Sequence, residues 1–366
     1  MSRLQDIYAR ELAGRGWQSD DAQLAAVARL EQLRNELQAQ RVELGWLGRL
    51  QRRAWPQREQ RGPRGIYLWG GVGRGKTLLM DWFYESLRFP RRERTHFYRF
   101  MRQVHAGLRD VARREQPLDA VAQRLAQSTR VVCLDEFFVG DIADAMILAG
   151  LFEGLFRRGV TLVATSNSPP DELYKDGLQR QRFLPAIALL QSHVDVLHLD
   201  GGVDYRLRQL AQAPTYLDSR LADTTEQLRR RFAALAADSA AGPSTLTIEE
   251  RSIDALATGM EMAWFDFSAL CSGPRSANDY IELARMYHTI FISNIPEFTA
   301  ADEDAARRFI AAIDEFYDRG VKLVVSAAAP PAALYHGERL QFEFQRAASR
   351  LIEMQTEKYL AGQHRT

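Results

Sequence analysis

Gly70-Gly71-Val72-Gly73-Arg74-Gly75-Lys76-Thr77 is a stretch whose residue types and spacing prescribe a chemistry, that of holding phosphate. The glycines let successive backbone N–H groups turn inward around phosphate oxygens. In such a loop Lys76 would reach the β- and γ-phosphates, and the Thr77 hydroxyl would ligate Mg²⁺. The spacing GxxxxGK[ST] is met in full. It lies between the short apolar run Ile66-Tyr67-Leu68-Trp69 and a helical pattern of Leu78, Leu79, Trp82, Phe83 and Leu87. A strand-to-helix junction of this kind turns the positive end of the helix dipole toward the bound anion. Lysine is also rare in this chain: of 48 basic residues only Lys76, Lys175, Lys322 and Lys358 are lysines. The lysine that the motif requires is therefore no default choice.

Val131-Val132-Cys133-Leu134-Asp135-Glu136 supplies acids to match. A carboxylate at the C-terminal end of a buried parallel strand lies at the sheet edge where doubly wound folds bind ligands. Asp135 is expected to hold Mg²⁺ through water and Glu136 to orient the attacking water; an N-cap for the next helix is the plainer alternative. The next strand, Thr161 to Thr165, runs into Ser166-Asn167-Ser168-Pro169-Pro170. Asn167 could hold the lytic water or the γ-phosphate as a neutral amide, or serve only as a turn residue. Further on, Gly177-Leu178-Gln179-Arg180-Gln181-Arg182 offers two arginines, either of which could reach the γ-phosphate of a neighbouring subunit.

The elements that must position these groups follow from periodicity. Residues 1–60 are expected to form a helical N-terminal region, with Asp20 and Gln23 as a capping box and an apolar face of Leu24, Val27, Leu30, Leu33 and Leu37. Residues 61–204 form the core that carries the phosphate loop. Apolar runs at Ile66–Trp69, Val131–Leu134, Thr161–Thr165 and Val194–Leu199 predict strands buried on both faces and alternating with helices. A further strand is expected at His96–Phe100, running into a helix from near Met101. The fold class is α/β, a P-loop NTPase-like parallel sheet with flanking helices. Residues 205–244 are expected to be a helical connector ending at Ala240-Ala241-Gly242-Pro243-Ser244, and residues 245–366 a second α/β region. Sliding the sequence by 161 positions aligns Val131–Tyr174 with Ile292–Tyr335 without a gap, with 13 of 44 positions identical. A degenerate repeat of the core is expected there, with Asp135 falling on Pro296, Glu136 on Glu297 and Asn167 on Ala328, and with no second phosphate loop ahead of it.

Composition narrows the function classes. A chain of 366 residues, 46% hydrophobic and 26% charged, is long enough for two cored domains. Its mean hydropathy of −0.32 and lack of long apolar runs exclude an integral membrane helix. The net charge of +1 argues against a polyanion-coating protein. Cys133 and Cys271 sit in apolar runs and are assigned no chemistry. The N-terminus lacks the layout of a secretory signal and of an Arg- and Ser-rich leader, so a cytosolic setting is expected.

The sequence resembles the AAA+ superfamily and, within it, the ZapE family of cell division ATPases with its mitochondrial AFG-type relatives. The likeness is carried by Gly70 to Tyr84, Phe100 to His105, Leu134 to Asp141, Leu173 to Ile187, Asp204 to Arg206, Ser276 to Pro296 and Phe309 to Ser326. The resemblance covers about residues 65 to 357. The resemblance implies an ATPase that binds ATP and Mg²⁺ between subunits of a homo-oligomer. It implies a polar sensor at Asn167, an arginine finger at Arg180 or Arg182, with Arg180 preferred because the family motif centres on Leu-Gln-Arg, and a nucleotide-state sensor at Arg206. It further implies association with the tubulin-like ring protein at the division site. Little room is left after the second strand for a protruding, substrate-threading loop.

The leading function is therefore ATP hydrolysis coupled to remodelling of a protein partner. A helicase-loader-like ATPase acting on nucleic acid is the alternative suggested by the arginine tract Arg49, Arg52, Arg53, Arg58, Arg61 and Arg64, whose plainer reading is a solvated face. A third class is a nucleotide-gated scaffold or quality-control adaptor, against which the Asp135-Glu136 pair speaks.

Overall fold

The computed structural model describes residues 4–15, 20–43, 62–71, 73–175, 177–200, 210, 213–236, 242–248, 251–259, 261–362 and 364. The chain divides into two compact units, Met1–Val203 and Asp204–Thr366.

In the first unit, α1 (Leu4–Arg15) and α2 (Asp21–Glu43) precede β1 (Gly65–Trp69). There follow α3 (Lys76–Ser86), β2 (Arg92–His96), α4 (Phe97–Asp110), α5 (Pro117–Ser128), β3 (Val131–Asp135), α6 (Ile142–Arg157), β4 (Thr161–Ser166), α7 (Leu184–His193) and β5 (Val194–His198). The strands form one sheet in the order β2-β3-β4-β1-β5, and every pair is parallel. The pleat divides β3 between two cores. Val131 and Cys133 pack with α1, α2 and α3, while Val132 and Leu134 pack with α4 to α7. Burial on both faces explains the unbroken apolar runs.

The N-terminal helices thus belong to the same unit as the sheet. Asp20 Oδ1 accepts from the N–H groups of Ala22 (2.8 Å) and Gln23 (3.3 Å), the capping expected of it. Val27, Leu30, Leu33 and Leu37 are buried as the periodicity predicts, whereas Leu24 is 41% exposed. The second strand is displaced from its expected place: it occupies Arg92–His96, and Phe97 already opens α4. This edge strand is polar, and the apolar Phe97 and Phe100 that suggested it are buried on the helix instead. No residue separates β2 from α4.

The second unit contains β6 (Tyr216–Asp218), α8 (Thr224–Ala236), the antiparallel hairpin β7 (Ser244–Ile248) and β8 (Arg251–Ala255), β9 (Ala257–Thr258) and β10 (Met262–Asp266). It continues with α9 (Ala277–Met286), β11 (Thr289–Ile295), α10 (Glu303–Asp318), β12 (Lys322–Ala327), α11 (Gln341–Glu353) and α12 (Glu357–Leu360). The segment expected to be a helical connector is corrected by β6, which pairs in parallel with β12 and so belongs to the second sheet. That sheet runs β6-β12-β11-β10-β9. A three-residue strand is too short to announce itself by pattern.

Strand for strand, β6, β10, β11 and β12 repeat β1, β2, β3 and β4 in order and direction. Matching bonds recur. Tyr67 Oη donates to Ser168 O (2.9 Å), and Tyr216 Oη to Ala329 O (2.6 Å). Gly70 N donates to Ser166 O, and Ser219 N to Ala327 O. Glu136 and Asn294 both have positive φ, 54° and 62°. Their N–H groups donate to Thr165 Oγ1 (3.1 Å) and Ser326 Oγ (3.0 Å) respectively. The ungapped alignment is corrected in one place. Strand registers set Ser293 and Asn294, not Pro296 and Glu297, at the positions of Asp135 and Glu136, because the loop after β11 is three residues longer. The repeat also reaches further back than the alignment did, since β6 and α8 flank a loop, Ser219–Asp223, where β1 and α3 flank the phosphate loop.

Candidate active site

Gly70 leaves β1 so close to the chain after β5 that a Cβ there would lie 2.3 Å from Leu199 O. Gly75, at φ 81°, turns the chain into α3. Only glycine adopts these conformations without strain. Lys76 folds back over the loop, and its Nζ donates to Gly70 O (2.7 Å), Gly71 O (2.7 Å) and Asn167 Oδ1 (3.0 Å). The lysine is thereby bonded to the residue that follows β4, and Asn167 reaches the phosphate loop.

A second element steadies the loop from the other side. Gln23 of α2 donates through Nε2 to Arg74 O (3.1 Å) and accepts from Tyr8 Oη of α1 (3.2 Å). Gln23 had been expected to complete a capping box; its side chain bonds the loop instead. Val72 lies outside the described residues, as do Arg206 with the Asp204–Arg206 triplet and, in the arginine tract, Arg49 to Arg61. Arg64, the described member of that tract, donates to Gln191 O, Ser192 O and Val194 O (2.8 Å each) and to the Asp195 carboxylate (2.6 Å). It is a clamp on the end of α7.

Asp135 ends β3 fully buried, and both its oxygens accept from Arg94 of β2, Oδ2 from Nε at 2.8 Å and Oδ1 from Nη2 at 3.4 Å. Arg94 also donates through Nη1 to Asp81 and through Nη2 to Thr77 O (3.4 Å). Burial opposes its charge, but the Asp135 and Asp81 carboxylates outweigh that and raise its pKa further above the usual arginine value. Glu136 follows in the left-handed conformation. The turn is pinned to β4, with Phe137 N donating to Thr165 O (2.7 Å) and Ser166 Oγ to Phe137 O (2.7 Å). His96, which ends β2 in register with Asp135, brings Nδ1 to 3.8 Å from Glu136 Oε2. Burial pushes the Cys133 thiol up to about 12, as expected of an inert cysteine.

Arg180 and Arg182 share a short 3₁₀ turn. Arg180 donates to Asp171 O (2.5 Å) within its own chain, its Nε is buried without a partner among the described residues, and Arg182 is exposed. Neither bonds to a described residue of the phosphate loop. Arg94, His96 and Gln23 were not found from sequence. No phosphate- or metal-site spacing marks them, and only the register of β2 against β3 and the docking of α2 bring them in.

A strand-loop-helix phosphate cradle at the C-terminal edge of a parallel α/β sheet, with a lysine in the loop and paired acids two strands away, defines a P-loop nucleotide hydrolase. The profile of the AFG1-like ATPase family matches residues 2–363, and the chain belongs to that family, so it is an ATP hydrolase. It is 48% identical over 365 residues to the cell division protein ZapE of Escherichia coli K12, covering 98% of this chain and 97% of that one. It is 38% identical to lactation elevated protein 1 homolog B of Danio rerio, covering 81% of this chain and 68% of that one. Among solved structures, AMPPCP-bound DnaA from Aquifex aeolicus shares 14% identity at a TM-score of 0.35, over 54% of this chain and 53% of that one.

Proposed function

We propose that the chain couples ATP hydrolysis to remodelling of a protein partner in bacterial cell division, the tubulin-like ring protein, and that it works as a homo-oligomer with nucleotide held between subunits. The observation that carries this reading is the meeting of Lys76 and Asn167 at the end of β4, the strand paired with the one that ends in Asp135, in a chain related at 48% identity to a protein named for cell division. In this reading the Gly70–Thr77 loop and Lys76 bind the β- and γ-phosphates. Asn167 and Glu136 orient water, with Glu136 taking its proton as general base. The turn carrying Arg180 and Arg182 contributes an arginine to a neighbouring subunit's γ-phosphate. Arg182 is the exposed one and Arg180 is held by Asp171, so Arg182 is the better presented of the two.

The oxygen donors present fit Mg²⁺, a hard cation that keeps several waters. Asp135 accepts one bond from Arg94 on each oxygen, which leaves lone pairs for water-mediated contact. Thr77 and Asp135 would hold the ion, and the ion would supply charge neutralisation at the phosphates.

The test is steady-state ATP hydrolysis against protein concentration for wild type and Glu136→Gln. The rate per subunit is expected to rise with concentration, and the substitution to lower it by about 100-fold or more while ATP still binds. A flat rate independent of Glu136 would overturn both the intersubunit site and the assignment of the base.

A further inference from the structure

The two residues expected at the metal come from different elements, Thr77 from the first turn of α3 and Asp135 from the end of β3. One side chain connects them. Arg94 holds both oxygens of Asp135, the carbonyl of Thr77 and the carboxylate of Asp81, one helical turn beyond Thr77. Its side chain is only 6% exposed, and that of Asp135 is wholly buried. A planar guanidinium with five fixed donors can satisfy acceptors on three residues at set angles, whereas an ammonium is a point charge without that fork. Outer partners of metal-holding groups orient them and tune the charge that they present.

We propose that Arg94 is a positioning residue, which fixes the reach between the phosphate-loop helix and Asp135 and thereby sets the affinity for the divalent cation that accompanies the nucleotide. The proposal rests on the reading of Thr77 and Asp135 given above. It separates two properties of the site: the loop and Lys76 bind phosphate whether or not Arg94 is present, while the grip on the cation depends on the fork. Asp81 enters the same account from outside the site, since it anchors the guanidinium without being assigned to nucleotide or metal.

The probes are Mn²⁺, followed by the electron paramagnetic resonance of the free ion, and a fluorescent ATP analogue titrated in EDTA and in excess Mg²⁺. Arg94→Lys is expected to weaken Mn²⁺ in the nucleotide complex by about 10- to 100-fold, with affinity for the analogue in EDTA unchanged. Asp81→Asn is expected to weaken Mn²⁺ in the same direction, and it decides the matter if Arg94→Lys does not fold. Asp135→Asn is the control. If it leaves Mn²⁺ affinity unmoved, the metal reading is wrong and this inference falls with it. If Asp135→Asn weakens Mn²⁺ but Arg94→Lys and Asp81→Asn only lower the thermal midpoint, Arg94 is a structural ion-pair partner and the inference alone is overturned.

Discussion

At the scale of single residues, the phosphate loop depends on contacts that a side chain would destroy. Gly70 faces Leu199 O at a distance no Cβ tolerates, and its own carbonyl accepts from Lys76. Gly70→Ala should therefore cost about 1–3 kcal/mol of stability and weaken ATP binding, because any shift that relieves the clash also moves the carbonyl. Gly14, inside α1, has nothing within 4 Å of its Cβ position. Gly14→Ala should stabilise the chain by about 0.5–1 kcal/mol with nucleotide affinity intact. Urea unfolding and an ATP titration of both variants check the pair; equal effects would mean that the close approach at Gly70 is relaxed in solution.

At the scale of elements, α2 is held to the sheet by an ionic contact as well as by its apolar face. Arg29 of α2 and Arg64 both donate to Asp195 of β5, each at 2.6 Å. Burial alone would raise the Asp195 pKa, but the bonds and charges of Arg29 and Arg64 outweigh it and hold the pKa below the usual carboxylate value. The folded chain thus binds this proton less readily than the unfolded one. The stabilisation is complete above the unfolded pKa and is lost as the pH falls through the lower folded value. Asp195→Asn should cost about 1 kcal/mol near neutral pH, and the gap from wild type should close below about pH 4. Thermal unfolding followed from pH 7 to pH 3 would show it; a gap constant with pH would assign the loss to packing. The elements that sequence located well are those like β1, β3 and β4, whose burial on both faces makes their central residues apolar. The strand β2 was misplaced because it lies at the sheet edge and carries Arg92, Glu93 and Arg94. The same polarity concealed the site's second layer: Lys76 belongs to a motif, but Arg94 becomes meaningful only once the register sets it beside Asp135. A run of identities around α6 and β4 revealed the repeat, yet the longer loop after β11 threw β3 out of alignment by three residues.

At the scale of the whole molecule, one nucleotide-binding sheet is accompanied by a copy whose corresponding loop departs from the phosphate-loop pattern. The loop Ser219–Asp223 has no lysine, Thr224 opens α8 where Lys76 opens α3, and Arg220 is held by its own neighbour Asp218 at 2.7 Å. Asp223 adds a negative charge at the helix start, where a phosphate would need positive potential. One ATP per chain is therefore expected, with Lys76→Ala abolishing all of it; equilibrium dialysis that found two, or one remaining in the variant, would restore the second loop to the nucleotide sites.

The copy also explains the backbone at Glu136. A non-glycine residue held at positive φ is usually taken as strain kept for the sake of catalysis. Here Asn294 adopts the same conformation, with the same bond to the neighbouring strand, in a sheet whose corresponding loop lacks the lysine. The bent residue is a habit of the architecture, older in logic than the reaction. Whatever sets Glu136 apart must lie in its carboxylate and its surroundings, because its torsion angles are shared with a silent twin.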